Sequence, residues 1–231
     1  MCGRYTLTSS PETVATVFDL DVVPDYLPRY NVCPTQEAPV VRVLEPGAGR
    51  RLDLVRWGLV PFWADDPSIG NRMINARSES VASRPAYREA FRRRRCLVVS
   101  DGFYEWRKEA GGKQPYWIHR PDGEPFAYAG LWSRWDKAGE PLDTFTILTR
   151  DAHPEIAAIH PRMPVVVARG DWAAWLDPAL TGKEPLADLL RRSTGAGLVT
   201  RRVSRRVNSP AHDVPEVLRE EPEEAPEPAP E

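Results

Sequence analysis

The chain has 231 residues, 28% of them charged and 42% hydrophobic, with a net charge of −2. That is enough chain and enough apolar content to bury one large core, which excludes a disordered or fibrous protein. It contains no run of 18 apolar residues, and polar residues follow Met1 where a signal peptide would have its apolar segment, so no membrane span is expected and a cytoplasmic location is.

Twenty-four prolines scattered along the chain argue against long helices and for short strands joined by many loops. Residues 11–20 read as an amphipathic helix capped by Ser9 or Ser10. Residues 39–44 and 51–57 read as two strands joined by a Pro-Gly turn at 45–49. An aromatic, proline-containing loop is expected over 58–66, then a helix over 85–95 and an apolar strand over 96–100. Further strands are expected at 115–119, 127–132 and 144–149, with Asp122-Gly123 as a hairpin turn. A strand over 164–168 follows. Next come a helix from Asp171 to Leu176 with Asp171 as its cap, a second short helix over 186–192 and a last strand over 203–207. From about Glu220 the chain reads EEPEEAPEPAPE, too acidic and too poor in large apolar groups to offset its chain entropy. This divides it into a domain over 1–219 and a disordered tail over 220–231.

Charge is unevenly placed. Residues 213–231 contribute −7 of the overall −2, which leaves +5 on the preceding body. A mildly basic body is compatible with a polyanionic partner. The three cysteines, Cys2, Cys33 and Cys96, form no CxxC pair, and no Cys/His spacing suits zinc. Reduced thiols are therefore expected, with no metal and no cofactor. Cys33 reads as an inert buried thiol.

Cys2 is the residue with the most chemistry. Loss of Met1 would leave it with a free α-amine and a thiol on adjacent carbons. Such a 1,2-aminothiol condenses with an aldehyde to a Schiff base, and the thiol then closes a five-membered thiazolidine. An α-amine has a pKa of about 7.7–8.0, so part of it is neutral near pH 7, and cysteine is the strongest side-chain nucleophile. Gly3 beside it allows close backbone approach.

Three other polar residues lie in motifs next to expected elements: Asn75 in Ile74-Asn75-Ala76-Arg77, Glu105 in Asp101-Gly102-Phe103-Tyr104-Glu105-Trp106, and His160 in Ile159-His160-Pro161-Arg162-Met163-Pro164. Glu105 and His160 fall at strand ends, where catalytic groups sit on rigid scaffolds. Each also has an ordinary reading: Asn75 as a helix cap, Glu105 as a surface charge and His160 as a hydrogen-bonded structural residue. Arg4, Arg77 and Arg162 lie two residues from Cys2, Asn75 and His160 respectively, where they can clamp phosphates. Phe62, Trp63 and Trp106 can stack on bases, and Thr149 joins this DNA-contacting set. The four arginines at 92–95 read as a partly solvated helix end with a possible nucleic-acid role.

Seven motifs occur in order. They are Met1-Cys2-Gly3-Arg4-Tyr5, Tyr30-Asn31-Val32-Cys33-Pro34, Trp57-Gly58-Leu59-Val60-Pro61, the three around Asn75, Glu105 and His160, and Val203-Ser204-Arg205-Arg206-Val207-Asn208. Over about residues 2–218 this series resembles the SRAP family, the SOS response-associated peptidases. The resemblance implies an α+β fold with a distorted β-barrel core and peripheral short helices. It implies an enzyme that senses abasic sites in single-stranded DNA and shields them through a covalent thiazolidine on Cys2 after self-processing of Met1, with lyase-type chemistry. By the same resemblance, Asn75 positions the Cys2 main chain, Glu105 is the acid/base and His160 holds the abasic sugar oxygen. A monomer is expected. Two other readings stay open: a cysteine peptidase using Cys2 with His160, and a non-covalent single-strand-binding module.

Overall fold

In the computed structural model, which describes residues 2–109, 111–137, 139–195 and 197–222, the longest strands bend around one another and close. In chain order the strands are β1 (Tyr5–Leu7), β2 (Arg29–Val32), β3 (Glu37–Arg42), β4 (Arg51–Trp57), β5 (Asn75–Arg77), β6 (Arg95–Ser100), β7 (Gly102–Glu109), β8 (Gly112–His119), β9 (Phe126–Trp135), β10 (Leu142–Asp151), β11 (Arg162–Pro164) and β12 (Val199–Arg202). The helices are short: α1 (Pro11–Phe18), α2 (Arg88–Arg93), α3 (Pro154–Ala157), α4 (Trp172–Leu176) and α5 (Lys183–Arg192). Helix α1 starts at Ser10, whose side chain accepts from the Thr13 amide, and ends at Asp19 in a left-handed conformation.

Strands β10, β4, β3, β6 and β9 form a closed five-stranded barrel, because β9 pairs with both β6 and β10. The β4–β10 pair is parallel and the others are antiparallel. A second, antiparallel sheet runs β12-β8-β7-β1-β2. Residues of the barrel strands alternate between two apolar clusters, as a pleated strand requires. Val41, Leu97, Val99, Ala129 and Leu131 pack with α1, α2, α4 and α5. Val40, Val55, Trp57, Val98 and Phe145 pack with the second sheet around Tyr5, Phe103 and Ile118. Cys2 lies in this second cluster and is fully buried.

Strand β10 serves two structures at once. Its first half belongs to the barrel. Its second half carries β5 on one edge, with Ile147 opposite Asn75, and β11 on the other, with Asp151 opposite Arg162. The segments holding Asn75 and His160 therefore share one rigid support. The crossing that leads into β5 depends on Gly58, at φ 127°. A Cβ there would lie 2.6 Å from the Gly70 carbonyl oxygen, so the two backbones can touch only if both residues are glycine.

Several sequence expectations change. Asp122-Gly123 makes a turn, but β8 and β9 do not pair, so it passes the chain from one sheet to the other. The hairpin is β7–β8, in register from Gly102↔His119 to Glu109↔Gly112. Its first strand was hidden because its polar end, Arg107-Lys108-Glu109, lacks alternation. The expected 203–207 strand is a 3-10 turn over Arg205–Asn208, and the strand is β12, just before it. The expected 164–168 strand is β11, with Val166 making only an isolated bridge to Tyr128. The 85–95 helix shrinks to α2 because Arg95 already belongs to β6. Arg95 is also buried. Its guanidinium donates to the carbonyls of Trp175, Phe91, Arg92, Asp177 and Leu180, which removes it from the arginine run as a nucleic-acid contact. Of the acidic tail, Glu220 bridges Val203 and the Glu221 amide donates to Arg202, while residues 223–231 lie outside the described residues. Among the described residues no helix is long and apolar enough to cross a membrane.

Candidate active site

The N-terminal segment is pinned by a single carboxylate. Asp101, in the tight link between β6 and β7, accepts from the Thr6 hydroxyl at 2.5 Å, the Thr8 amide at 2.5 Å and the Ser9 amide at 2.8 Å. On its far side, Arg4 donates to Asn31 Oδ1 at 3.0 Å and to the Val207 carbonyl at 2.7 Å, and it reaches the Asn208 carbonyl. Asn31 in turn donates to the carbonyls of Val207, Ser209 and His212. Arg4 thus joins the start of the chain's first strand to the 207–208 segment.

With β1 held in this way, the Cys2 main chain meets Asn75. Asn75 Nδ2 donates to the Cys2 carbonyl at 2.7 Å. The residue before Asn75 is fixed by the buried Trp57, whose indole donates to the Ile74 carbonyl at 2.8 Å. Asn75 Oδ1 is buried and takes no hydrogen bond from a described residue. Asn75 lies in a strand rather than capping a helix. Burial pushes the Cys2 thiol well above its ordinary range, and the neighbouring Glu105 charge raises it further.

Glu105 lies in the body of β7, not at a strand end, and is 2% exposed. Burial pushes its carboxyl up to about 7. His160, in the loop before β11, brings Nδ1 within 3.7 Å of Glu105 Oε1. Its ring is anchored by Arg162: Nδ1 lies 3.1 Å from the Arg162 amide and 3.0 Å from its carbonyl. Burial lowers the His160 pKa below the usual imidazole value, so the ring is neutral at pH 7 and available for hydrogen bonding. Glu105 and His160 line a pocket of about 360 Å³ together with Trp106, Lys113 and Asn208. Trp106 is held at the wall by a 2.7 Å hydrogen bond from its indole to Asn208 Oδ1.

The residues read as DNA contacts divide. Phe62 and Trp63 stand 52% and 46% exposed on the 61–64 loop, free to stack. Arg77 is exposed at the end of β5. Arg162 is already engaged: its guanidinium takes Glu79 and Asp151, each at 2.7 Å, and the Thr149 carbonyl at 2.7 Å. Thr149 is fully buried, and its hydroxyl faces the Ala76 carbonyl at 3.5 Å and Arg162 Nη2 at 3.4 Å. The Cys33 thiol is buried against the Asn31 carbonyl.

Two wall residues were not singled out as site residues from sequence. Asn208 ends the last of the seven motifs, a signal that had been available. Lys113 has none, because the apolar signal of the strand that carries it begins only at residue 115.

The chain matches the family model described as SOS response associated peptidase (SRAP) over residues 1–210. It belongs to that family. It is 38% identical over 223 residues to the Abasic site processing protein YoaM of Bacillus subtilis, covering 94% of this chain and 97% of that one. It is 32% identical over 190 residues to the Abasic site processing protein YedK of Escherichia coli, covering 80% and 83%. It is also 36% identical to the Abasic site processing protein HMCES of Gallus gallus, covering 84% of this chain and 66% of that one. Among solved structures, a protein from Bacteroides thetaiotaomicron superposes with a TM-score of 0.79 at 24% identity, over 95% of this chain and all of that one. A phage-related protein from Bordetella bronchiseptica gives 0.72 at 28%, over 88% and 95%. The barrel, the second sheet and the short helices of this SRAP chain are the α+β architecture expected from its motifs.

Proposed function

We propose that this protein processes abasic sites in single-stranded DNA by forming a thiazolidine cross-link through Cys2 once Met1 has been removed. The observation that carries the reading is a linked set of contacts: Asn75 donates to the Cys2 carbonyl, the Glu105 charge neighbours the Cys2 thiol, and Glu105 meets His160 at one pocket. Asn75 holds the Cys2 main chain so that its amine points in one direction, which converts a bimolecular encounter into a positioned one. The neutral amine adds to the aldehyde of the opened sugar. Glu105, with a carboxyl near 7, delivers a proton to the leaving hydroxyl as the imine forms and can take one back on reversal. His160 hydrogen-bonds the sugar oxygen. The Cys2 sulfur then adds to the imine carbon, its proton passes to nitrogen, and one water has been lost overall. Burial keeps the sulfur a thiol until the imine is at hand, which limits side reactions.

Arg77 supplies an exposed cation for a flanking phosphate, and Phe62 and Trp63 supply stacking surfaces. The exposed aromatic loop and the relatives' common name favour DNA over a peptide substrate. Two features weigh against a Cys2–His160 peptidase pair: the thiol is pushed up, not down, and His160 contacts Glu105 and the Arg162 main chain. The test is a denaturing gel of protein incubated with a single-stranded abasic oligonucleotide. Wild type should give a heat-stable adduct, and Cys2→Ala none, while non-covalent retention of the oligonucleotide persists. A heat-stable adduct with Cys2→Ala would overturn the reading.

A further inference from the structure

Glu105, whose charge neighbours the Cys2 thiol, lines a pocket that also presents side chains the proposed chemistry does not use. Its volume of about 360 Å³ falls in the range of pockets that hold free small molecules. Lys113, exposed at the start of β8, lines it and forms no ion pair with a described residue. Asn208 lines it too. Its Oδ1 is occupied by the Trp106 indole, which leaves the Nδ2 hydrogens as donors. An ammonium and an amide donor lining one pocket suit the three acceptor oxygens of a phosphate. Glu105 and His160 form the reactive side of the same space. An aminothiol, for its part, reacts with any accessible aldehyde carbon and does not require the rest of a DNA chain.

We infer that the Met1-free protein also captures free small aldehydes that bear a phosphate, seating the phosphate on Lys113 and Asn208 and closing a thiazolidine on Cys2. The inference rests on the proposed function for the aminothiol and extends it to a ligand that is not a nucleic acid. In the step, the Cys2 nitrogen bonds to the aldehyde carbon, the carbinolamine oxygen leaves as water with a proton from Glu105, and the sulfur bonds to the same carbon while its proton moves to nitrogen. No electrons change hands. Capping consumes the free amine and the thiol of Cys2 together, so free phosphorylated aldehydes compete with DNA for the same residue.

The test uses full-length protein with free Cys2 and two probes, D-glyceraldehyde 3-phosphate and D-glyceraldehyde, with the peptide Cys-Gly-Arg-Tyr as the reference for an unassisted aminothiol. Intact mass follows the gain of one aldehyde less one water. The phosphorylated probe is expected to cap the protein at least tenfold faster than it caps the peptide, and to be preferred over glyceraldehyde by at least tenfold more than in the peptide. Lys113→Ala should remove that preference and Lys113→Arg should retain it. Protein capped beforehand should fail to cross-link an abasic oligonucleotide. Peptide-like capping, or a preference unchanged in Lys113→Ala, would overturn the inference. An abasic oligonucleotide run in parallel separates the two claims: cross-linking without enhanced capture refutes this inference alone, and absence of both refutes the proposed function with it.

Discussion

Replacing Glu105 with glutamine tests the proposed proton transfer in two independent ways. The side chain is 2% exposed, and burial raises its carboxyl from the ordinary 4.5 to about 7. The folded protein therefore holds a proton on Glu105 that the unfolded chain has lost across this window, and stability falls as pH rises from about 4.5 to about 7. Each pKa unit is worth about 1.4 kcal/mol, so the buried carboxylate destabilises the alkaline protein by up to about 3 kcal/mol relative to acid. Glutamine carries no such charge. In urea unfolding, Glu105→Gln should gain on wild type by an amount approaching that figure between pH 5 and pH 8.5. In single-turnover cross-linking to an abasic oligonucleotide, the same change should slow the reaction by about 10²–10⁴-fold, the usual worth of a positioned acid/base. Wild type should also lose rate above pH 7, where at pH 8 only about a tenth of Glu105 remains protonated, and the variant should lack that inflection. A variant with the wild-type rate and the same pH limb would refute Glu105 as the acid, and equal pH dependence of unfolding would refute its raised pKa.

Asn75→Ala removes the donor on the Cys2 carbonyl and should slow cross-linking at unchanged oligonucleotide affinity, with about 1–3 kcal/mol of stability lost in thermal unfolding if that carbonyl stays dry. Arg77→Ala should weaken single-strand binding evenly across sequences and lower the slope of log K against log salt by about 0.7, the value for one phosphate on a single strand. Arg162→Ala should instead act mostly on stability, because its guanidinium ties Glu79 and Asp151 to the Thr149 carbonyl, and a salt slope reduced as much as in Arg77→Ala would contradict that. Gly58→Ala should destabilise by more than about 1 kcal/mol, since its Cβ would strike the Gly70 carbonyl at a φ disfavoured for alanine. Urea midpoints measure it.

What the sequence revealed and what it hid follow from physical range. Helix α1 was legible because its cap, its proline and its apolar spacing are all local. The apolar strands β6, β9 and β10 were legible from short hydrophobic runs. Barrel closure was not, because it depends on β9 pairing with both β6 and β10, a property of two distant edges and not of any segment. The turn at Gly123 was recognised but its partners were misassigned, since a Gly-containing turn looks the same within a hairpin and between sheets. In the site, the chemistry of Cys2 could be argued from its position alone. The grouping of Asn75, Glu105 and His160 rests on the resemblance to the family's motifs, and the placement of Asn75 and His160 requires β10 to carry β5 and β11 on opposite edges. The engagement of Arg4, Arg95 and Arg162 by main-chain carbonyls and carboxylates left no trace in sequence, where an arginine that binds phosphate and one that binds the protein read alike.

The bond between Cys2 and an opened abasic sugar is tested by the intact mass of the purified protein before and after reaction, followed by mapping of the modified peptide. Before reaction the mass should correspond to the chain without Met1. After reaction it should rise by the mass of the oligonucleotide less one water, with the change confined to the N-terminal peptide beginning at Cys2, and Cys2→Ser should leave no adduct that survives heating. A stable adduct on a protein that retains Met1, or one mapped to a lysine elsewhere in the chain, would contradict the account.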